Sequence, residues 1–496
     1  MASRRQAALG AFWGTVERVT TQGVSFLVVL ILARLLGPSA YGLVALAATI
    51  ALFGQTLLGE TFSEALVQAK ELEPAHASSL FWLLVGAGLL AAAAVVLAAD
   101  GLAGFFNQPD LAPVLRALSL LVPLTALQAV PTALFKRALN FRALAIASAG
   151  GTVIAGVTGV VLAFAGFGAW SLVANLLVQN AVLAAAIWRQ SSFRPQLIYS
   201  HRHVRELWSY GQYMFLLRIA AFTFNQSPRI LIGYFYDAAA LGAFSLGLRI
   251  VETMIQLLAL PASSVAVPVI ARLRYEPTRL SRAILAATQI TAMAALPAFI
   301  GFVLVAPAMV PLFFGPRWTS SVPIVQIIAV YGVAGAAALL WGGIVGGLGR
   351  PDLNLATTGA GAIVSVALML AAAPWGLHAS AIAFVVRGYI TLPVMPVFIA
   401  RVTGVSAWAQ YRVFGPIILA TATMAAAVQT LLALLGGRLH PLALLLGAVP
   451  LGAAAYVLGL FLFARPALRL GASVLGEIRP GPKPNPSDVR PADTTG

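Results

Sequence analysis

The sequence predicts an all-α, polytopic membrane protein with about fourteen transmembrane helices. Of its 496 residues, 60% are hydrophobic and only 9% are charged. A soluble domain carries about 25% charged residues, because its surface must be compatible with water. Apolar runs also recur along almost the whole chain, and a helix needs about 20 such residues to cross the hydrocarbon core of a bilayer. One large membrane domain therefore explains the composition better than several soluble domains.

The fourteen spans follow from applying this length along the chain. They are expected near residues 11–36, 41–67, 79–99, 111–135, 143–165, 168–188, 208–236, 239–270, 282–306, 319–347, 353–374, 377–399, 411–435 and 441–464. The first apolar run contains Glu17 and Arg18, and a cleaved signal peptide lacks such charges in its apolar region. It is therefore expected to remain as the first membrane helix.

The positive charge predicts the orientation of the chain. The net charge of +16 comes mostly from short basic clusters between apolar runs, which is typical of cytoplasmic loops and not of a surface that binds nucleic acid. If the N-terminus is cytoplasmic, the outside loops hold only Arg317 and Arg438 of the basic residues. Both termini are therefore predicted to be cytoplasmic.

Two similar halves are visible in the sequence. The string LLGPSAYGLVAL at 35–46 matches FYDAAALGAFSL at 235–246, so that Gly42 corresponds to Gly242. Transporters commonly arise from such repeats, with the substrate site between the halves. The predicted organisation is an N-terminal lobe at 1–200 (spans 1–6), a C-terminal lobe at 201–402 (spans 7–12), a C-terminal helix pair at 403–470 and a disordered cytoplasmic tail at 471–496.

Charged residues inside the spans are concentrated in the first two helices of each half. Charge at membrane depth is costly unless it faces a bundle interior or water, so it indicates function by default. Arg218, Phe222, Asn225 and Arg229 repeat with helical spacing and share one face. Arg249 and Glu252 are three residues apart and can pair, so internal ion pairing is an equal alternative for them. A guanidinium suits a diphosphate or an acidic sugar, which favours a binding role for Arg218 and Arg229.

Catalytic and cofactor chemistry have little support in the sequence. Cys is absent, which excludes a thiolate nucleophile, and there is no phosphate-binding loop for ATP. His201 and His203 flank Arg202 in a basic loop, where solvation is a better explanation than a metal. No catalytic residue, metal site or cofactor is predicted.

Several strings resemble one family of transporters. ARLLGPSAYGLVALA at 33–47, LFGQTLLGETFSEALVQAKE at 52–71, FKRALNFRALA at 135–145 and WSYGQYMFLLRIAAFTFNQSPRILIGYF at 208–235 resemble the polysaccharide transporter family, Wzx/WzxC-like flippases of the multidrug/oligosaccharidyl-lipid/polysaccharide exporter superfamily. The resemblance implies two six-helix lobes around a cavity lined by spans one, two, seven and eight. It also implies a flippase that moves undecaprenyl-diphosphate-linked oligosaccharide repeat units across the bacterial inner membrane by alternating access, driven by an ion gradient.

The resemblance and the charge pattern together give the candidate site. The substrate-binding candidates are Arg34, Arg218, Asn225, Arg229 and Arg249, and the ion-coupling candidates are Glu17, Glu60 and Glu252. The expected partners are the lipid-linked glycan, membrane lipid, and polymerase and other polysaccharide-assembly proteins, without nucleic acid. A multidrug or metabolite antiporter or a peptidoglycan-precursor flippase of the same superfamily remains an alternative. A membrane polysaccharide polymerase or ligase is a third, which the short external loops disfavour.

Overall fold

A computed structural model describes residues 21–57, 66, 74–198 and 200–465. Within these residues the chain is helical and has no strand, which confirms the predicted all-α fold class. Two sequence predictions fall outside the described residues: the coupling candidates Glu17 and Glu60, and the disordered tail at 471–496.

The helices follow one another with short connections. They are α1 (Thr21–Leu36), α2 (Pro38–Gln55), α3 (Pro74–Phe105), α4 (Leu111–Leu118), α5 (Leu121–Arg137), α6 (Phe141–Phe164), α7 (Ala169–Gln190), α8 (His201–Phe235), α9 (Ala238–Leu258), α10 (Leu260–Leu273), α11 (Pro277–Phe314), α12 (Val322–Gly347), α13 (Pro351–Ala372), α14 (Leu377–Thr391), α15 (Val394–Thr403), α16 (Ala407–Arg412), α17 (Phe414–Leu435) and α18 (Pro441–Phe463).

Twelve helical segments of the described chain are long and apolar enough to cross a membrane, so the predicted count of fourteen is not confirmed. The described part of α1 is shorter than a full span. Helix α8 has 35 residues but carries several charged and amide side chains, and it is not among the twelve. The predicted eighth span, at 239–270, is divided into α9 and α10. Pro261 lies in the first turn of α10, where its missing N–H is tolerated.

The main apolar core joins the two halves of the sequence. Leu32 and Leu46, from α1 and α2, belong to the same buried cluster as Phe244 on α9 and Phe299 on α11. Helix α2 packs along α9, and the pair α17 and α18 packs against α11. The lobe boundaries at 200 and 402 remain predictions.

The segment that connects the two halves is bound to α3. The Trp82 indole N–H donates to the Gln196 carbonyl at 2.9 Å, and the Gln196 N–H donates to the Ser78 hydroxyl at 3.1 Å. The segment is not helical, so its backbone groups lack the hydrogen bonds of a helix, and these bonds to α3 satisfy some of them.

Candidate functional site

Helices α1, α8 and α9 bring seven polar side chains together between the two halves. This central polar cluster consists of Gln22, Ser25, Gln226, Arg229, Arg249, Glu252 and Gln256. The members on each helix are spaced three or four residues apart, which places them on one face. The cluster thus contains residues from three of the four helices that the sequence analysis expected to line a cavity.

Arg229 carries the ion pair of the cluster. Its Nη2 donates to Glu252 Oε1 at 3.2 Å, and its Nη1 donates to Gln226 Oε1 at 2.7 Å. The Arg229 side chain is 14% exposed and that of Glu252 is 44% exposed. Glu252 therefore pairs with a cation of the preceding helix, and not with Arg249 as its spacing suggested.

Arg249 reaches across to the first half of the chain. Its Nη2 donates to the Ser25 hydroxyl on α1 at 2.7 Å, which is a contact with a neutral group. Its Nε is buried and has no partner among the described residues. One turn away on α1 and two turns away on α9, the Gln22 amide donates to the Gln256 amide oxygen. The cluster thus connects the halves through hydrogen bonds between α1 and α9.

Two predicted binding residues lie on α8 outside these bonds. Asn225 is exposed, and its side-chain amide donates to the Ala221 carbonyl of its own helix at 2.8 Å. Arg218 is half-buried, about 16 Å before Arg229 at 1.5 Å of rise per residue. Between them the Phe222 ring packs edge-on against Phe53 of α2, with centroids 4.9 Å apart. Helix α2 therefore contacts α8 between Arg218 and Arg229.

Arg34 lies in a different contact, about 13 Å from Ser25 along α1. Its Nη1 donates at 3.0 Å to the Leu312 carbonyl in the last turn of α11. In return, Arg317 Nη1 donates to the Leu35 carbonyl at 3.2 Å, and the Trp318 indole donates to the Ala33 carbonyl at 2.8 Å. The carbonyls at the end of each helix thus accept hydrogen bonds from donors that lie at or just after the end of the other, which also suits the negative end of the helix dipole.

Two Gly-Pro turns shape this contact. Gly37 and Gly315 have φ values of +82° and +93°, which favour glycine. Each is followed by a proline that begins a helix: Pro38 begins α2, and Pro316 begins a short 3-10 helix, Pro316–Ser321. A Cβ on Gly37 would lie 3.4 Å from Arg317 Cδ, and one on Gly315 would lie 3.4 Å from Arg34 Cγ. We call the reciprocal contact of Arg34, Gly37, Gly315, Arg317 and Trp318 the Gly-Pro latch.

Sequence reasoning missed several of these residues. Gln226 and Gln256 are each spaced three or four residues from a charged member of the cluster, and this spacing was an available signal. The string FFGPRW at 313–318 repeats the Gly-Pro of LLGPSA at 35–40, which could have identified the second half of the latch. The binding role of Arg34 remains a prediction, because the structure places this residue in the latch and not in the central polar cluster.

Comparisons with known proteins identify the family of the chain. The chain is 32% identical over 321 residues to the succinoglycan biosynthesis transport protein ExoT of Rhizobium meliloti, a match that covers 64% of each protein. It is 25% identical over 358 residues to the lipopolysaccharide biosynthesis protein WzxC of Escherichia coli, covering 71% of this chain and 72% of that protein. The matched part is thus less than two thirds of the length of ExoT.

The fold has a solved counterpart. The lipid II flippase MurJ, in an inward closed conformation, superposes with a TM-score of 0.74 over 93% of this chain and 100% of MurJ, at 13% identity. This likeness concerns the fold alone. A family model described as polysaccharide biosynthesis protein matches residues 31–323, which is more than half of the chain. The family suggested by the sequence strings is confirmed: the chain belongs to the polysaccharide biosynthesis protein family.

Proposed function

We propose that the protein is a flippase that moves undecaprenyl-diphosphate-linked oligosaccharide repeat units across the bacterial inner membrane by alternating access. ExoT is named as a succinoglycan biosynthesis transport protein and WzxC as a lipopolysaccharide biosynthesis protein. The described part of the chain has twelve helical segments long and apolar enough to cross a membrane, which suits a carrier. Membrane lipid and the glycan are the proposed partners, together with polymerase and other assembly proteins.

The observation that carries this proposal is the charge of the central polar cluster. The cluster contains two guanidinium groups, those of Arg229 and Arg249, and one carboxylate, that of Glu252, which pairs with Arg229. The buried Arg249 Nε has no partner among the described residues, and an unsatisfied buried donor costs about 1–3 kcal/mol. A diphosphate oxygen would satisfy it, and guanidinium–phosphate bonds are among the strongest that proteins form. Arg218 lies further along α8, where the rest of a long substrate would pass.

Glu252 gives the site a means of coupling. The carboxylate pairs with Arg229 when substrate is absent. A diphosphate bound to Arg229 would displace it, and the released carboxylate would then take up H⁺ or Na⁺. We propose this exchange as the step that links an ion gradient to transport.

The Gly-Pro latch supports alternating access. With both termini cytoplasmic, as the basic loops predict, the latch faces the periplasm and the described conformation is closed on that side. Its hydrogen bonds join side chains to carbonyls at helix ends, so they can separate without disrupting either helix. We propose that opening of the latch releases the substrate outward.

A binding experiment tests the site. Purified protein in nanodiscs should bind undecaprenyl diphosphate more tightly than undecaprenol, and Arg249→Gln should reduce this preference at least tenfold, because each 1.4 kcal/mol is a factor of ten. The paired substitution Arg229→Gln with Glu252→Gln should do the same without leaving a carboxylate unpaired. Arg116→Gln is the matched control, since Arg116 forms an ion pair with Asp100 outside the cluster. An unchanged preference in both cluster variants would exclude the cluster as the diphosphate site.

A further inference from the structure

Several prolines inside the described helices leave a carbonyl that another helix satisfies. In an α-helix each N–H bonds to the carbonyl four residues earlier, so a proline frees that carbonyl. In lipid, where water is absent, the free carbonyl needs another donor. For four interior prolines of the described chain, the freed carbonyl accepts a hydrogen bond from a donor on a different helix. Each proline is given with its freed carbonyl and the donor: Pro131 (Leu127 carbonyl, Trp188 indole, 3.0 Å), Pro297 (Met293 carbonyl, Tyr456 hydroxyl, 2.8 Å), Pro307 (Val303 carbonyl, Gln326 amide, 2.8 Å) and Pro228 (Phe224 carbonyl, Arg387 guanidinium).

Arg387 differs from the other three donors because it is charged. Its side chain is buried, with 2% of the residue exposed, and it has no carboxylate partner within the described part of the chain. The guanidinium lies between the Phe224 and Phe384 rings, 4.3 and 4.4 Å from their centroids. Burying an uncompensated charge is expensive, and neutral donors serve the other prolines. We therefore expect the charged donor to the carbonyl freed by Pro228 to have a role that a neutral donor could not fill.

The contacts of Arg387 explain the choice of a guanidinium. Besides the Phe224 carbonyl, Nη1 donates to the Ser365 hydroxyl on α13 at 2.8 Å. Ser365 is in turn 3.2 Å from the Ser227 hydroxyl, next to Pro228 on α8. A planar group held between two rings keeps one orientation while it bonds to several acceptors, which a lysine ammonium cannot do. Arg387 thus fixes α8 to α13 and α14 at the break in its hydrogen-bond ladder.

The position of this break connects Arg387 to the central polar cluster. Arg229 directly follows Pro228, whereas Arg218 precedes it by ten residues, so the two cations lie on opposite sides of the break. We propose that Arg387 is a positioning residue that sets the angle between the two parts of α8 and hence the separation of Arg218 and Arg229. This inference rests on the proposed function, in which both cations contact the substrate.

The test combines two substitutions that act on one carbonyl. Arg387→Met leaves the Phe224 carbonyl without a donor. Adding Pro228→Ala restores the N–H of the helix ladder, which satisfies the carbonyl and straightens α8. We expect Arg387→Met to lower the melting temperature and the double variant to recover it. Both variants should lose transport at least tenfold, because in neither is the angle of α8 the native one.

A distance measurement separates positioning from folding. The chain has no cysteine, so spin labels at Leu216→Cys and Tyr234→Cys, exposed positions on the two sides of Pro228, are specific. A straight helix separates them by about 27 Å along its axis. The double variant should give a longer label distance than the unsubstituted, labelled protein, and Arg387→Met a broader distribution. Trp188→Phe, which removes the donor at Pro131, is the matched control and should leave this distance unchanged.

The label distances and melting temperatures test the positioning role of Arg387 separately from the proposed function. An unchanged distance in Arg387→Met and in the double variant overturns the positioning role, even if the protein transports lipid-linked glycans. Recovery of both melting temperature and full transport in the double variant also overturns it, because Arg387 would then act only on folding. If the unsubstituted protein does not transport, the proposed function fails, while the distance shift still establishes that Arg387 sets the geometry of α8.

Discussion

Gly42 of α2 and Gly242 of α9 pack against each other's helix in the same way. A Cβ on Gly42 would lie 1.8 Å from the Ala238 carbonyl oxygen, and a Cβ on Gly242 would lie 1.9 Å from the Pro38 carbonyl oxygen. The two glycines and the two carbonyls are each 200 residues apart in the sequence. The halves of the chain therefore meet in a two-fold-like contact of backbones, which small residues permit in membrane helices.

This contact predicts that neither glycine tolerates a methyl group. Gly42→Ala and Gly242→Ala should each destabilise the protein by about 1–3 kcal/mol or more, because a backbone oxygen cannot move aside as a flexible side chain can. Thermal unfolding in detergent measures the effect. Gly86→Ala is the control, since nothing lies within 4 Å of its Cβ position and alanine favours a helix. A melting temperature as high in Gly42→Ala as in Gly86→Ala would contradict the close packing.

The repeat explains which parts of this architecture could be predicted from the sequence. Gly42 and Gly242 were recognisable because a close helix crossing requires glycine in both copies. The partner of Glu252 was not recognisable, because Arg249 is the nearer cation in sequence and only tertiary packing brings Arg229 to it. Arg34 is a substrate-binding candidate through the resemblance to the transporter family, and the structure places its guanidinium in the latch. Its contact with Leu312 depends on the end of α11 reaching α1, and no local pattern encodes that.

The latch predicts a measurable opening. Ala33 is fully buried, and its carbonyl accepts the Trp318 indole hydrogen bond. In Arg34→Ala with Arg317→Ala, two charge-assisted hydrogen bonds between α1 and the end of α11 are lost. The open state should gain population, and Ala33→Cys should react with a membrane-impermeant maleimide at least tenfold faster. The same cysteine in an Arg116→Ala background is the control, and an equal rate in both backgrounds would show that these arginines do not hold the latch closed.

Glu252 predicts the ion dependence. If its carboxylate exchanges Arg229 for an ion, Glu252→Gln should bind substrate but no longer respond to a proton or sodium gradient. Asp100→Asn supplies the comparison, because Asp100 also pairs with an arginine but lies outside the cluster. Transport rates with and without each gradient measure the response. A gradient effect that survives Glu252→Gln would assign coupling to another group.

The contact between Gln22 and Gln256 predicts that a covalent link between α1 and α9 blocks transport. Gln22 and Gln256 already contact each other across the halves. A disulfide between Gln22→Cys and Gln256→Cys should stop flipping, and reduction should restore it, because the halves must separate there for substrate to enter. A Thr423→Cys and Ala455→Cys pair, where α17 contacts α18, is the control for oxidation. Full transport in the oxidised Gln22/Gln256 variant would argue against separation of α1 from α9.

Transport of a fluorescent undecaprenyl-diphosphate oligosaccharide in proteoliposomes measures the proposed activity itself. We expect protein-dependent flipping that Arg249→Gln reduces at least tenfold and Arg116→Gln leaves intact. Protein that moves none of several such glycans and instead exports cationic dyes would not be a flippase of this class, and an antiporter with the same fold would be favoured.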